Sequence, residues 1–183
     1  MSFWNVFMKN STKLGIFLVA IFCAVGARAE PINFDVGYSK LHFRQSSGTG
    51  FNPDHVKFAL SRNNYEAIAS VNVKSDDLTL NGVVDEAQIP YVLGLFYKPE
   101  IQLRAGINLF ARLGLTHASA EIKGSNLTGG KWTSSGNGIG YGFGMSMLST
   151  STSKITVDYT TYYNRQGTAI KSVSLTHSFL IPY

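Results

Sequence analysis

The sequence predicts an all-β fold, an eight-stranded antiparallel up-and-down transmembrane β-barrel preceded by a cleaved signal peptide. Large apolar residues recur at every second position in eight separate segments, and the positions between them are small or polar. An apolar run with a positively charged start stands at the N-terminus. No later segment approaches the ~18 consecutive apolar residues that a membrane-spanning helix requires.

Residues 1–29 have the layout of a secretory signal peptide. Lys9 and Lys13 carry the positive charge, and residues 14–26 form the uncharged apolar run. Small residues then provide a site that signal peptidase accepts, so we expect cleavage after Ala29. An uncleaved anchor helix is the alternative, and the apolar run is too short to favour it.

The mature chain, residues 30–183, has the length of one barrel domain. Cleavage removes the only cysteine, so the mature chain has no disulfide, no thiolate nucleophile and no cysteine metal site. Loss of Lys9, Lys13 and Arg28 lowers the formal charge from +5 to +2. Because no basic stripe remains, the sequence does not favour a nucleic-acid partner. We also expect no cofactor and no metal.

The alternation marks eight strands in the mature chain. Their apolar positions fall within residues 34–38, 56–60, 65–73, 91–97, 109–115, 139–147, 155–163 and 173–183. A sheet that crosses a bilayer must pair all of its backbone groups, so it closes on itself with the apolar face toward lipid and the small face toward the lumen. In the sixth strand, glycines at alternate positions would leave room for bulkier neighbours such as Arg112. The register is open around Ile68, which breaks the alternation, and around His177, which falls on the lipid-facing side.

The links between strands alternate in length, which is typical of short periplasmic turns and longer external loops. Long polar links follow the first, third and fifth strands, whereas residues 62–64 and 149–153 form short turns. The link at residues 98–107 is longer than this scheme expects. A secreted β-sandwich or lipocalin-like barrel is the soluble alternative. The scarcity of charge on the opposite faces and the tyrosines at strand ends count against it.

Three stretches resemble a known family. INLFARLGLTHASAEIK (107–123) resembles the fifth strand and following loop of the transmembrane domain in the outer membrane protein A family, and SKITVDYTTYYN (153–164) resembles its seventh strand. The closing SVSLTHSFLIPY (172–183) is similar to the C-terminal signal strand of such barrels, although Tyr183 stands where phenylalanine is usual. The resemblance implies a small eight-stranded barrel in a Gram-negative outer membrane, inserted by the barrel-assembly machinery.

Lys57, Glu66, Arg112 and Asp158 are the charged residues that the alternation places in mid-strand on the inward face. A charge in a narrow lumen needs a partner, because stranding it costs several kcal/mol or more. We therefore expect a lumen charge network, and by the resemblance Arg112 and Asp158 match inward charges of such a network. The narrow bore of an eight-stranded barrel favours a plug. The alternative is a gate, in which exchange of partners opens a narrow ion path.

The long link after the fifth strand contains Lys123, Lys131 and Trp132 among small polar residues. These side chains suit contact with anionic lipopolysaccharide or with a host surface, and adhesion through external loops is therefore an alternative function. A solvated loop without a partner is the simpler interpretation of the same residues.

A lipid A-modifying enzyme is the third alternative. His177 and Ser178 are neighbours on a strand and face opposite ways, so they cannot act as a pair. His117, Ser119 and Glu121 share a face, but alternate residues of one strand lie about 6–7 Å apart, too far for direct proton transfer. We expect no catalytic site.

The sequence thus predicts an integral protein of the cell outer membrane with a structural or surface-interaction role, with or without weak porin-like activity. Its expected partners are outer-membrane lipid and lipopolysaccharide, and the barrel-assembly machinery during insertion. We expect a monomer.

Overall fold

The computed structural model describes residues 31–46, 48–80, 83–104, 106–124, 130–165 and 167–181. The predicted signal peptide and the two C-terminal residues lie outside this part of the chain. The described residues form eleven β-strands. A search of the same residues finds no helix with the length and apolarity to cross a membrane.

Eight long strands build the barrel and three short ones lie at its rims. The long strands are β1 (Ile32–Gln45), β3 (Asp54–Arg62), β4 (Tyr65–Lys74), β6 (Val83–Tyr97), β8 (Ile107–Lys123), β9 (Lys131–Thr150), β10 (Ser153–Arg165) and β11 (Thr168–Ile181). The short strands are β2 (Gly50–Phe51), β5 (Asp76–Leu80) and β7 (Glu100–Arg104). All pairings are antiparallel, and the last long strand pairs with the first along its full length. The predicted eight-stranded closed barrel is therefore confirmed.

The outer face of the barrel is apolar over a band that matches the hydrocarbon layer. In β9, alternate residues from Ile139 to Met147 point outward and are exposed, with 65% of the Ile139 surface free. Nine residues rise roughly 30 Å along a strand, and the usual tilt of 35–45° reduces this to about the 25 Å height of an outer-membrane apolar band. Water would penalise so much exposed apolar surface, whereas lipid does not.

One end of the barrel carries the short turns and both ends of the described chain. Ile32 pairs with Ile181 at this end, and the β3–β4 turn lies there with Asn63 at φ 54°. The rings of Tyr65 and Tyr97 meet edge to face there, with 5.9 Å between their centroids. Short turns define the periplasmic end of such barrels, so the opposite end faces the exterior.

The register is continuous at both positions that the sequence left open. Ile68 faces the lumen and is buried, and it pairs with Ala59 and Gly94 without a shift. It interrupts the alternation because it is an apolar residue on the inward face. His177 pairs with Val36 on the outer face and packs edge-on against the ring of Phe179.

The long polar links are largely strands, so their prediction as loops is wrong. Strands β8 and β9 stay paired beyond the apolar band as far as Lys123 and Lys131, and β5 pairs with the outer part of β6. The unexplained link at residues 98–107 contains β7, which pairs with β8. Outside the hydrocarbon a strand has no need of an apolar outer face, so the outer parts of β6, β8 and β9 lose the alternation, whereas β7 keeps it in the exposed Ile101 and Leu103.

Candidate functional site

The middle of the lumen holds the four charged residues that the sequence singled out. Asp158 Oδ2 lies 2.6 Å from Lys57 Nζ, and Asp158 Oδ1 lies 2.9 Å from Arg112 Nη1. Arg112 Nε also lies 3.1 Å from Glu66 Oε2. All four side chains are almost completely buried. The structure thus brings Lys57, Glu66, Arg112 and Asp158 into one ion-paired layer across the lumen.

Glycines on the neighbouring strands give these side chains space. Arg112 is paired in register with Gly142, and Asp158 is paired with Gly144. The glycines also admit rings: a Cβ on Gly144 would collide with Phe110, and one on Gly140 would collide with Phe96. A Cβ on Gly142, the partner of Arg112, would meet the Tyr159 carbonyl oxygen and Thr160, so the prediction that these glycines make room for Arg112 is incomplete.

Lys98 is a fifth member of the charged layer that the sequence analysis missed. It lies in the turn before β7, and its Nζ reaches inward to 3.2 Å from Glu66 Oε1 and 3.4 Å from Glu100 Oε1. The same ammonium group lies 4.5 Å from the centre of the Phe110 ring. Lys98 was assigned to a link, and links carry no inward or outward alternation. The five members of the layer are three cations and two carboxylates, and Glu100 supplies a third carboxylate at its edge.

An apolar layer fills the lumen on the external side of the charges, which corrects the prediction of a small and polar inward face. Phe43 and Phe51 stack with ring centroids 4.6 Å apart, and Phe96 meets Tyr162 edge to face. Their buried neighbours include Leu41, Ile68, Leu78, Ile89, Val92 and Ile170. A signal for this layer was present in the sequence, because Leu41 and Phe43 continue the inward positions of β1.

The periplasmic end of the lumen opens into a small polar pocket with room for about one water molecule. Its lining includes Asp35, Lys98, Glu100, Ser146 and Lys154. From this pocket toward the exterior, the lumen passes first through the ion-paired layer and then through the apolar layer. Both layers separate the pocket from the external rim.

At the external rim, the structure places Lys123, Lys131 and Trp132 on strands. Lys131 Nζ lies 2.7 Å from Glu121 Oε2, and Lys123 Nζ lies 3.5 Å from Glu121 Oε1. Burial disfavours the charged form of Glu121, but these two ammonium groups and the Gln88 amide outweigh it and hold the pKa of Glu121 below its ordinary value. Glu121 thus pairs with both lysines, and Glu86, 3.7 Å from Lys123, supplies the second negative charge that balances them, whereas Trp132 stays 43% exposed.

The residues considered for catalysis are not assembled. His117 Nδ1 lies 2.7 Å from Asn137 Oδ1, and its Nε2 lies 3.4 Å from the Tyr91 hydroxyl. Ser119 and Glu121 therefore do not complete a triad with this histidine. His177 faces outward, whereas Ser178 is buried in the lumen.

A different histidine does contact a serine. His55 Nδ1 lies 3.2 Å from Ser70 Oγ, but both residues are fully buried inside the barrel. A lipid substrate in the outer leaflet has no access to that pair.

The barrel is similar to solved structures of small outer-membrane proteins. It matches the crystal structure of Ail, the attachment invasion locus protein of Yersinia pestis, with a TM-score of 0.58 at 13% identity over 84% of this chain and 100% of that chain. It matches Neisserial surface protein A with a TM-score of 0.58 at 12% identity over 85% of this chain and 99% of that chain. No family model and no curated sequence matches the chain.

These likenesses and the closed sheet define the class of protein as a small integral outer-membrane β-barrel. The predicted outer-membrane barrel fold is confirmed, and the predicted location in the outer membrane agrees with the proteins it matches.

Proposed function

We propose that this protein is a non-conducting outer-membrane barrel whose work is done at its external surface. The observation that supports this most strongly is the double obstruction of the lumen. The ion-paired layer joins strands from opposite sides of the barrel, and the apolar layer stands between it and the exterior. An ion would lose its hydration in both layers without receiving equivalent partners.

Planar-bilayer recording of the refolded mature protein tests the closed lumen. A refolded general porin in the same bilayer serves as the positive control for insertion and detection. We expect a silent membrane for this protein at voltages where the porin conducts. Reproducible single-channel steps would reject the proposal and restore the weak pore as its function.

Attachment to a host surface is a second candidate, supported by the external sheet. Strand β9 pairs with β10 only as far as Tyr141, so its outer part, residues 131–140, pairs with β8 alone. Residues 131–135 in that part are exposed. The similar protein Ail is an attachment invasion locus protein, and its structure has also been solved with the heparin analogue sucrose octasulfate.

Cell-binding assays separate this candidate from a purely structural role. A non-adherent Gram-negative strain displaying the protein is compared with one in which residues 131–135 are replaced by Gly and Ser. Attachment that is lost with the replacement, at equal surface amounts, supports adhesion. Equal binding by both strains contradicts it.

The expected partners and the absence of catalysis form part of the proposal. Insertion by the barrel-assembly machinery, a monomeric barrel and contact with lipopolysaccharide are consistent with a closed sheet and an apolar exterior. A lipid A hydrolase is disfavoured because His117 is held by Asn137 and Tyr91. Deacylation of lipopolysaccharide by the purified protein, abolished by His117→Ala, would reverse this ranking.

A further inference from the structure

The external rim carries its charges unevenly around the barrel. On the β6–β8–β9 side, Lys123 and Lys131 are paired with Glu121, and Glu86 lies 3.7 Å from Lys123. Asp77 stands opposite Glu86 in register on the same side. This sector is therefore balanced or acidic, and it offers little attraction to an anion.

The opposite sector is cationic. On β1 and β11, the outward side chains directly beyond the apolar band are those of Lys40, His42, Arg44 and Lys171, which we call the cationic strip. His42 and Lys171 are paired in register, so the strip continues across the seam that closes the barrel. Arg44, His42 and Lys171 are exposed.

The acids near the strip leave most of its charge uncompensated. Asp54 Oδ1 lies 2.7 Å from Lys40 Nζ and accepts a hydrogen bond from the Tyr38 hydroxyl group, so Lys40 is largely neutralised. Asp76 accepts a hydrogen bond from the backbone N–H of Asn52, and its negative charge acts on Lys40 as well. Within the described part of the chain, Arg44 and Lys171 form no ion pair with a carboxylate.

The height of the strip relative to the membrane identifies what faces it. Lys40 is paired with Val173, whose side chain is exposed in the apolar band, and His42 and Lys171 follow two residue pairs further out. Two residues rise roughly 7 Å along a strand. The headgroup layer extends about 5–8 Å beyond the hydrocarbon, so the side chains of His42 and Lys171 project sideways into it, and Arg44 stands two residue pairs further out, at its outer edge. They point away from the barrel wall, toward lipid headgroups.

We propose that the cationic strip binds the phosphate groups of lipopolysaccharide in the outer leaflet, with Arg44 and Lys171 as the principal contacts. This inference rests on the proposed surface role and names the partner of one sector of that surface. A guanidinium matches phosphate geometry with two parallel hydrogen bonds, and an ammonium adds a point charge. The contact moves the predicted lipopolysaccharide site from Lys123 and Lys131 to the other side of the barrel.

Binding to immobilised lipopolysaccharide tests the proposal with two charge-matched double variants. The first, Arg44→Gln with Lys171→Gln, removes two charges from the strip. The second, Lys123→Gln with Lys131→Gln, removes two charges from the opposite sector. Far-UV circular dichroism confirms that all three proteins are folded barrels before binding is measured.

We expect the strip variant to bind roughly tenfold more weakly than the wild type, which corresponds to the loss of charge-assisted hydrogen bonds, and the control to stay within about twofold. Chemically dephosphorylated lipopolysaccharide should bind the wild type as weakly as intact lipopolysaccharide binds the strip variant. Equal weakening in both variants would show a net-charge effect and overturn the proposal. Undiminished binding of dephosphorylated material, or full competition by millimolar inorganic phosphate, would also overturn it.

The bilayer recording reports on the lumen alone. If the bilayer stays silent and the strip variant binds lipopolysaccharide as well as the wild type, only this inference is refuted. If the bilayer conducts and the strip variant binds more weakly, only the non-conducting function is refuted.

Discussion

The carboxylate of Asp158 binds Arg112 through one oxygen and Lys57 through the other, at 2.9 and 2.6 Å. Its two partners come from β8 and β3, which stand on different sides of the lumen. One acid therefore ties together strands that are not neighbours in the sheet. The hydrogen-bonded wall cannot do this, because each strand bonds only to the strands beside it.

Replacing Asp158 by asparagine should destabilise the barrel strongly. The substitution keeps the shape of the side chain but leaves the buried Lys57 ammonium without its carboxylate and Arg112 with Glu66 alone, and breaking a buried pair typically costs about 3–5 kcal/mol. Urea unfolding of the detergent-refolded protein measures the free energy of unfolding. The control is Asp77→Asn, because Asp77 is exposed at the external rim and should change stability little. Equal stability of the two variants would mean that the lumen layer contributes nothing to the fold.

Gly140 should tolerate no side chain while Phe96 keeps its ring. A Cβ at Gly140 would collide with the ring of Phe96 and the methyl group of Thr116. Gly140→Ala should therefore cost about 1–3 kcal/mol of unfolding free energy, the usual penalty for overpacking. A second variant that combines Gly140→Ala with Phe96→Leu should lose less than the sum of its single changes, because the smaller side chain frees the space. Additive losses would contradict the steric explanation.

Much of the barrel wall is predictable from the sequence because the outer face of the wall contacts lipid. Within the apolar band, one face of every strand must be lipid-compatible, so residues such as Ile139 and Phe143 mark the outside at every second position. The same alternation placed Arg112 and Asp158 on the inside. The layer that they form follows from the cost of a lone charge in a narrow space.

The outer ends of the strands and two lumen residues could not be predicted, for physical reasons. The outer parts of β8 and β9 stand in water, where the outward face of a strand need not be apolar, so Lys123 and Lys131 resemble loop residues. Lys98 enters the lumen from a turn, and a turn has no period to show which way a side chain points. Tyr162 is buried beside a bulge, where the β10–β11 register shifts between Thr161 and Tyr163.

The ion pairs of Glu121 should make the external sheet sensitive to acid. Burial, the largest single influence, raises the pKa of Glu121, but Lys131, Lys123 and Gln88 together lower it below its usual value near 4.5. A lowered folded-state pKa means that the pairs stabilise the sheet above the unfolded-state pKa. That stability is lost as the pH falls through the folded-state pKa.

Lys131→Gln should therefore raise the pKa of Glu121 toward its ordinary value. An NMR titration of the Glu121 side-chain carboxyl carbon measures this shift in the folded protein. Lys171→Gln, on the far side of the barrel, removes the same charge and should leave the Glu121 titration unchanged. A Glu121 pKa that is the same in both variants would mean that Lys131 does not hold this carboxylate in solution.

The two layers of the lumen should act as independent seals. Arg112→Ala removes a cation that joins Glu66 and Asp158, but it leaves the apolar layer in place between the charges and the exterior. We expect this variant to remain silent in planar bilayers. Phe96→Ala with Tyr162→Ala opens space in the apolar layer while the ion pairs persist, and it should also be silent.

Only the triple variant, with Arg112→Ala, Phe96→Ala and Tyr162→Ala together, should conduct. In that protein water can reach the polar periplasmic pocket from the external rim, and conduction needs a continuous hydrated path. Heat-induced changes in electrophoretic mobility verify that each variant is a folded barrel before recording. Conductance steps from Arg112→Ala alone would contradict this prediction. They would show that the rings of Phe96 and Tyr162 do not exclude water and that the charged layer is the sole seal.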